Sequence, residues 1–157
     1  MKARINVQES KLAGKVVRQL VGAAQAVNES GLSPVTQELV KIRVSQINGC
    51  GFCVDMHTKE AGAAGETDAR MHMIAVWREA TVFSDAERAA LALAEEGTRI
   101  ADAAGGVPDA VWEEAARHFT EDELTALTSL IAVMSAFNRL NVIIQQPAGD
   151  YQPGQFG

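Results

Sequence analysis

The chain has 157 residues, of which 47% are hydrophobic and 22% charged, a composition typical of one globular domain with its own core. Its 20 acidic residues outnumber the 14 basic residues and give a formal net charge of -6. This acidity, without any block of like charges, argues against a nucleic-acid-binding protein.

The N-terminal residues Met1 to Asn6 are not followed by the uninterrupted apolar stretch of a signal peptide, and no run of residues approaches membrane-spanning length. We therefore expect a cytoplasmic protein that binds neither membranes nor nucleic acid. In that compartment, a pair of nearby cysteines cycles between dithiol and disulfide more readily than it serves as a fixed staple.

Apolar residues recur at three- and four-residue steps along almost the whole chain, and strand-like alternation is absent. The sequence therefore predicts an all-α fold, a single-domain bundle of about six to seven helices over residues 1–157. The first predicted helix, Lys11 to Asn28, carries one apolar stripe. Its members are Leu12, Val16, Leu20, Ala24 and Val27.

Local signals mark the ends of the other predicted helices. Ser33-Pro34 begins the second helix, the Asn48-Gly49 turn ends it, and the third runs from Cys50 to Ala64. A short helix is predicted over Thr67 to Ala80, and another runs from Pro108 to His118. Two capping-box patterns precede longer helices, Ser84-x-x-Glu87 and Thr120-x-x-Glu123.

The last predicted helix is apolar on more than one face, so it lies at the centre of the core or is shared between subunits. Its apolar residues include Leu124, Leu127, Leu130, Ile131, Met134, Phe137 and Ile144. The residues that follow, about 145–157, are rich in glycine, proline and glutamine, and we expect an extended tail.

The two cysteines of the chain lie in Cys50-Gly51-Phe52-Cys53, at the predicted start of the third helix. A cysteine reacts as its thiolate, and the unpaired N–H groups and positive macrodipole end of a helix N-terminus favour that form. His57 follows one turn after Cys53 on the same face, where the imidazole can reach the sulfur or the group that it attacks. The sequence thus predicts a nucleophile beside a proton carrier.

Glu38 is the candidate third member of this site. If the second and third helices form an antiparallel hairpin, residues at equal distances from the Asn48-Gly49 turn lie level with each other. Glu38 and His57 are such a pair. A carboxylate beside a histidine fixes the orientation of the ring, which is the role of the third group in a nucleophile, base and orienter set.

The pattern of Glu38, eleven intervening residues and then Cys50-x-x-Cys53-x-x-x-His57 resembles the signature of the alkylhydroperoxidase D-like (AhpD-like) proteins of the carboxymuconolactone decarboxylase superfamily. Two further stretches, Trp77 to Leu91 and Phe137 to Asn141, are similar to later helices of that family. The resemblance implies an all-helical fold, homo-oligomers (trimers or hexamers), and thiol-dependent reduction of hydroperoxides without a cofactor.

By position, the resemblance makes Cys53 the thiolate that attacks the peroxide, Cys50 the resolving thiol, and Glu38 with His57 a proton relay. The best-characterised AhpD proteins have a histidine between the two cysteines, where this chain has Phe52. Because the oxidised pair must be reduced again, the expected partners are a hydroperoxide substrate and an unidentified dithiol reductant.

Three other interpretations fit the same residues. In the first, Cys50, Cys53 and His57 hold a structural zinc ion, but no fourth ligand stands at a recognised spacing, since His72 and His118 lie elsewhere in the sequence. In the second, both cysteines are inert buried side chains of a helical assembly module. In the third, they exchange disulfides with a partner protein or a small disulfide, and peroxide reduction is incidental.

Overall fold

The computed structural model describes residues 2–156. Over this range the chain forms seven α-helices and no β-strand, which confirms the all-α prediction. The helices are α1 (Lys11–Asn28), α2 (Pro34–Ile47), α3 (Gly51–Ala63), α4 (Asp68–Met73), α5 (Asp85–Thr98), α6 (Asp109–His118) and α7 (Glu121–Ile144). A short 3-10 helix, Ile74–Val76, follows α4 directly.

Helix α2 packs against α3, α5 and α7 and is buried along most of its length. Its apolar side chains divide between two clusters. Val40 and Val44 belong to the cluster that contains both cysteines and the inner face of α7. Leu39 and Ile42 belong to a second cluster, with residues of the 70–91 region. A helix surrounded in this way fixes the positions of its neighbours, α3 among them.

The turn between α2 and α3 has the geometry that the sequence predicted. Asn48 ends α2, and Gly49 has a φ of 67°, in the left-handed region that glycine adopts at little cost. Cys50 then takes extended backbone angles as the N-cap residue of α3. The two helices therefore form the hairpin on which the predicted pairing of Glu38 with His57 depends.

Both predicted capping boxes form. The Ser84 side chain accepts from the Glu87 N–H while the Glu87 carboxylate accepts from the Ser84 N–H, and Thr120 and Glu123 make the same reciprocal pair. These bonds satisfy N–H groups that would otherwise lack partners at the starts of α5 and α7.

The predicted helix over Thr67 to Ala80 is wrong in its second half. Helix α4 ends at Met73, and the chain tightens into the 3-10 helix before Trp77. The guanidinium of Arg88 donates to the carbonyl oxygens of Trp77, Arg78 and Ala80. A side chain from α5 thus bonds carbonyl groups in the segment that the longer helix would have occupied, a tertiary contact that local sequence does not encode.

The expectation that no segment reaches membrane-spanning length is wrong for α7. Among the described residues, this 24-residue helix has the length and composition to cross a membrane. However, it packs against α1, α2 and α5, and its Asn138 is fully buried and bonded to Asn48 and Ser45. Core helices of globular proteins have the same composition; 33% of the apolar window of α7 is buried, and its buried apolar residues between Leu124 and Met134 belong to the cluster that contains both cysteines.

The apolar stripe of α1 is only partly covered within one chain. Val27 is buried, whereas Leu12 is 72% exposed and Val16 is 42% exposed. Near the end of α7, Ile143 is 64% exposed. The expected homo-oligomer, which would cover such surface, stays a prediction.

Candidate active site

Cys50 is the N-cap residue of α3, in agreement with the prediction that the CxxC pair lies at a helix N-terminus. Its sulfur accepts a hydrogen bond from the backbone N–H of Cys53 at 3.4 Å, and its carbonyl oxygen accepts from the N–H of Val54 at 3.0 Å. The first turn of the helix thus directs an N–H group at the sulfur, an arrangement that favours a thiolate once the pair is reduced.

Cys50 and Cys53 are joined by a disulfide bond, with their Cα atoms 5.4 Å apart. The two residues are only 2% and 1% exposed. The described state is therefore the oxidised one, and its sulfurs lie beneath the surface. Residues 2–156 contain no group of three or more His, Cys, Asp or Glu side chains placed to hold a metal ion.

His57 and Glu38 meet across α2 and α3, which confirms the predicted pairing. Nδ1 of His57 lies 3.0 Å from Oε2 of Glu38. Because an ionised carboxylate can only accept, Nδ1 must carry the hydrogen of this bond. The other ring nitrogen, Nε2, is buried and makes no hydrogen bond. The arrangement leaves one ring nitrogen held by the protein and one free to exchange a proton.

Glu38 also accepts from Nζ of Lys41 at 2.9 Å, and the same Nζ reaches the side-chain oxygen of Asn28 at 3.4 Å. Burial by itself raises the pKa of Glu38, but the hydrogen bond from His57 and the charges of His57 and Lys41 outweigh it, so the pKa lies below the ordinary 4.5. Glu38 is therefore a carboxylate at neutral pH, as an acceptor for Nδ1 must be.

Two asparagines of α7 also belong to the site, although no sequence pattern assigned them a role. The amide of Asn141 donates to the sulfur of Cys53 at 3.3 Å. One turn earlier, Asn138 accepts from the Asn48 amide at 3.0 Å and donates to Ser45 Oγ at 3.1 Å. The two amides are three residues apart and so share a face of α7, and this spacing is the signal that could have identified them, because amides among packed apolar side chains require partners.

The C-terminal segment, the predicted tail at about 145–157, folds back onto α3; its last residue, Gly157, lies outside the described residues. Lys59 donates to the carbonyl oxygens of Gly149 and Tyr151 at 2.9 and 3.0 Å. Glu60 accepts from the Tyr151 hydroxyl and from the N–H of Gly154. These bonds hold the segment along the helix that bears the cysteines.

The same segment covers the residue between the two cysteines. The rings of Tyr151 and Phe156 lie 6.5 and 6.4 Å from the ring of Phe52, measured between centroids. In addition, a β-carbon placed on Gly51 would lie 3.6 Å from the side chain of Ala148. The tail and Phe52 thus form an aromatic group beside the disulfide.

Two open clefts border α3. One, of about 380 Å³, is lined by Glu38 and Lys41 of α2 and by Ala61 of α3, among others, so the Glu38 carboxylate communicates with solvent. The other, of about 610 Å³, lies between α3 and α4 and includes the exposed His72. His118 is bonded to Glu114 on the surface of α6, away from the cysteines.

Fold and site together define an all-helical protein with a CxxC pair at a helix N-terminus. Residues 14–96 match the Carboxymuconolactone decarboxylase family. The chain is 34% identical over 142 residues to the uncharacterised protein YdfG of Bacillus subtilis, covering 90% of this chain and 94% of that protein. It therefore belongs to the carboxymuconolactone decarboxylase superfamily, as an AhpD-like member.

Solved structures agree with this assignment. An Agrobacterium tumefaciens protein of unknown function, described as a candidate AhpD antioxidant-defence protein, is 35% identical with a TM-score of 0.86, over 96% of this chain and 100% of that one. The debrominase Bmp8 is 18% identical with a TM-score of 0.77, over 87% of this chain and 73% of that one. The likeness to Bmp8 is one of fold alone, and it shows that enzymes are built on this fold.

Proposed function

We propose that the protein is a thiol-dependent peroxidase of the alkylhydroperoxidase type, which reduces organic hydroperoxides or hydrogen peroxide through a Cys50/Cys53 dithiol–disulfide cycle. One observation carries the proposal. A buried CxxC pair, closed as a disulfide, shares a face of α3 with a histidine whose Nδ1 is held by a carboxylate. Nucleophile, resolving thiol and proton donor are the groups that this reaction requires.

The first step is attack on the peroxide. His57 takes the proton of the Cys53 thiol at Nε2, and the resulting thiolate attacks the terminal oxygen of the hydroperoxide. The O–O bond breaks, the sulfur is oxidised to a sulfenic acid, and the remaining oxygen leaves as an alkoxide. Nε2 returns the proton to that alkoxide and releases an alcohol, while Glu38 keeps the ring oriented through Nδ1.

The second step closes the disulfide. The Cys50 thiol attacks the Cys53 sulfenic acid, the S–O bond breaks, and one water is released. A dithiol reductant then attacks the disulfide, becomes oxidised to its own disulfide, and leaves both cysteines as thiols.

A second candidate is a dithiol/disulfide oxidoreductase that acts on a partner protein or a small disulfide. The observation that favours it is the aromatic group of Phe52, Tyr151 and Phe156 beside the disulfide, since Phe156 is 62% exposed. Exposed aromatic surface next to a redox-active pair is suited to contact with another molecule. We further propose that the protein forms homo-oligomers, which the exposed apolar residues of α1 support. Its proposed location is the cytoplasm.

The test is a stopped-flow reaction of the fully reduced protein with cumene hydroperoxide, followed by mass spectrometry for the Cys50–Cys53 disulfide. We expect rapid disulfide formation, its loss in Cys53→Ser, and a stable sulfenic acid on Cys53 in Cys50→Ser. A matched experiment replaces the peroxide with oxidised glutathione.

The comparison of the two oxidants separates the candidates. Faster reaction with glutathione disulfide than with the peroxide would favour the oxidoreductase. Thiols that remain reduced with both oxidants would contradict both candidates and leave an inert structural pair.

A further inference from the structure

Each sulfur of the pair has its own N–H donor, and the two donors come from different parts of the fold. The Cys50 sulfur accepts from the backbone of α3, at the N–H of Cys53. The Cys53 sulfur accepts from the side chain of Asn141 on α7. The donor at the helix N-terminus is therefore directed at Cys50 and not at the residue proposed as the nucleophile.

A negative charge on the Cys53 sulfur must therefore be stabilised by a group other than the backbone N–H at the start of α3. The residue is 1% exposed and belongs to an apolar cluster that includes Leu130, Ile131 and Met134. Burial among apolar side chains disfavours a thiolate, so without a compensating donor the Cys53 thiol would resist ionisation. The amide of Asn141, 3.3 Å away, is such a donor.

We propose that Asn141 is a positioning residue that stabilises the thiolate of Cys53 by a hydrogen bond and thereby offsets the burial that opposes ionisation of this thiol. The inference rests on the proposed function for its purpose, because a nucleophile is needed only if the pair reacts. Hydrogen bonds to charged acceptors are about twice as strong as those between neutral groups, so this contact strengthens when Cys53 ionises.

The position of Asn141 is fixed independently of the disulfide. Asn138, one turn earlier on α7, is fully buried and bonded both to Asn48 in the turn before Cys50 and to Ser45 on α2. These two bonds fasten α7 to the α2–α3 hairpin without involving either sulfur. The amide therefore stays beside Cys53 when the disulfide is reduced.

The experiment measures the ionisation of each thiol alone, by the ultraviolet absorbance of the thiolate as a function of pH. Cys50→Ser leaves Cys53 as the titrating thiol, and Cys53→Ser leaves Cys50. In the first background, Asn141→Leu should shift the midpoint upward by about one pH unit, because one charge-assisted hydrogen bond is lost. In the second background, the same substitution should leave the Cys50 midpoint unchanged.

Two further variants test whether the shift in the Cys53 midpoint arises from the lost hydrogen bond or from a general disturbance of α7. Asn141→Asp keeps the size of the side chain but replaces the donor with a carboxylate, so the Cys53 midpoint should rise further than in Asn141→Leu. Val142→Ala alters the next residue of α7, which is 45% exposed, and should change neither midpoint.

An unchanged Cys53 midpoint in both Asn141 variants would overturn the inference, as would equal shifts of Cys50 and Cys53. The titration uses no peroxide, so its outcome is separate from that of the peroxidase test. A protein that ionises Cys53 through Asn141 but does not react with cumene hydroperoxide would contradict the proposed function and not this contact.

Discussion

Arg43 on α2 and Glu95 on α5 form an ion pair inside the fold, with Nε of Arg43 donating to Oε1 of Glu95 at 2.8 Å. The two residues are 8% and 6% exposed. Glu95→Ala would leave the guanidinium buried without its carboxylate, so the free energy of unfolding should fall by about 3 kcal/mol. For a chain of this size, thermal unfolding should then occur roughly 6–12 °C lower.

The matched control is Glu114→Ala. Glu114 pairs with Arg117 and His118 on the surface of α6, where solvent screens the charges. This variant should unfold at the temperature of the parent protein. Equal lowering of the unfolding temperature by the two substitutions would show that burial does not make the Arg43–Glu95 pair more stabilising than a surface pair.

Acid should weaken the fold through two carboxylates. Burial would raise the pKa of Glu38 and of Glu95, but hydrogen bonds from His57 and from Arg43 and Arg78, respectively, lower both below 4.5. Each group therefore contributes stability that is present above pH 4.5 and is lost as the pH falls through its lower folded-state pKa. Urea unfolding at several pH values below neutral should reveal this loss, and Glu38→Gln should reduce its slope.

If His57 transfers protons in the reaction, replacing it should lower the rate of disulfide formation more than it lowers the stability of the fold. His57→Ala should slow peroxide-driven disulfide formation by about a hundredfold, the usual contribution of a general acid–base group. Glu38→Gln, which keeps an acceptor for Nδ1 but loses the charge, should cost about tenfold. The control is His72→Ala on α4, whose exposed ring should not affect the rate. Similar losses in the His57 and His72 variants would exclude a specific relay.

The tail should limit access to the disulfide. Tyr151→Ala removes both the ring that packs on Phe52 and the hydroxyl bonded to Glu60. Reduction of the Cys50–Cys53 disulfide by dithiothreitol should be several-fold faster in this variant, because fewer contacts hold the segment over α3. Tyr151→Phe, which keeps the ring, should lie nearer the parent rate. Identical rates in all three proteins would mean that the reductant enters elsewhere.

Local signals predicted most of the helices, the segment after Met73 excepted, and the position of the CxxC pair at a helix N-terminus. The Asn48-Gly49 turn, the apolar periodicity and the capping boxes depend on neighbouring residues, so α2, α3 and the N-cap position of Cys50 followed from sequence. The pairing of Glu38 with His57 followed as well, because a short hairpin fixes which residues lie level.

The remaining features depend on contacts between distant segments. The Arg88 side chain, eleven residues further along the chain, donates to the Trp77 carbonyl in the segment where the predicted helix does not form. Asn141 reaches Cys53 across a sequence separation of 88 residues, and no periodicity in α7 reveals which neighbour it meets. The docking of the tail on α3 depends in the same way on side chains that only the folded chain brings together.

Tyr151 is the single tyrosine of the chain. Burial, and the bond of its hydroxyl to Glu60, raise its pKa to about 12, and a tyrosine released to solvent would ionise near 10. The near-ultraviolet absorbance of tyrosinate, followed against pH, therefore reports whether the tail is seated on α3. Because no second tyrosine contributes to the signal, oxidised and reduced protein can be compared directly without attaching a label.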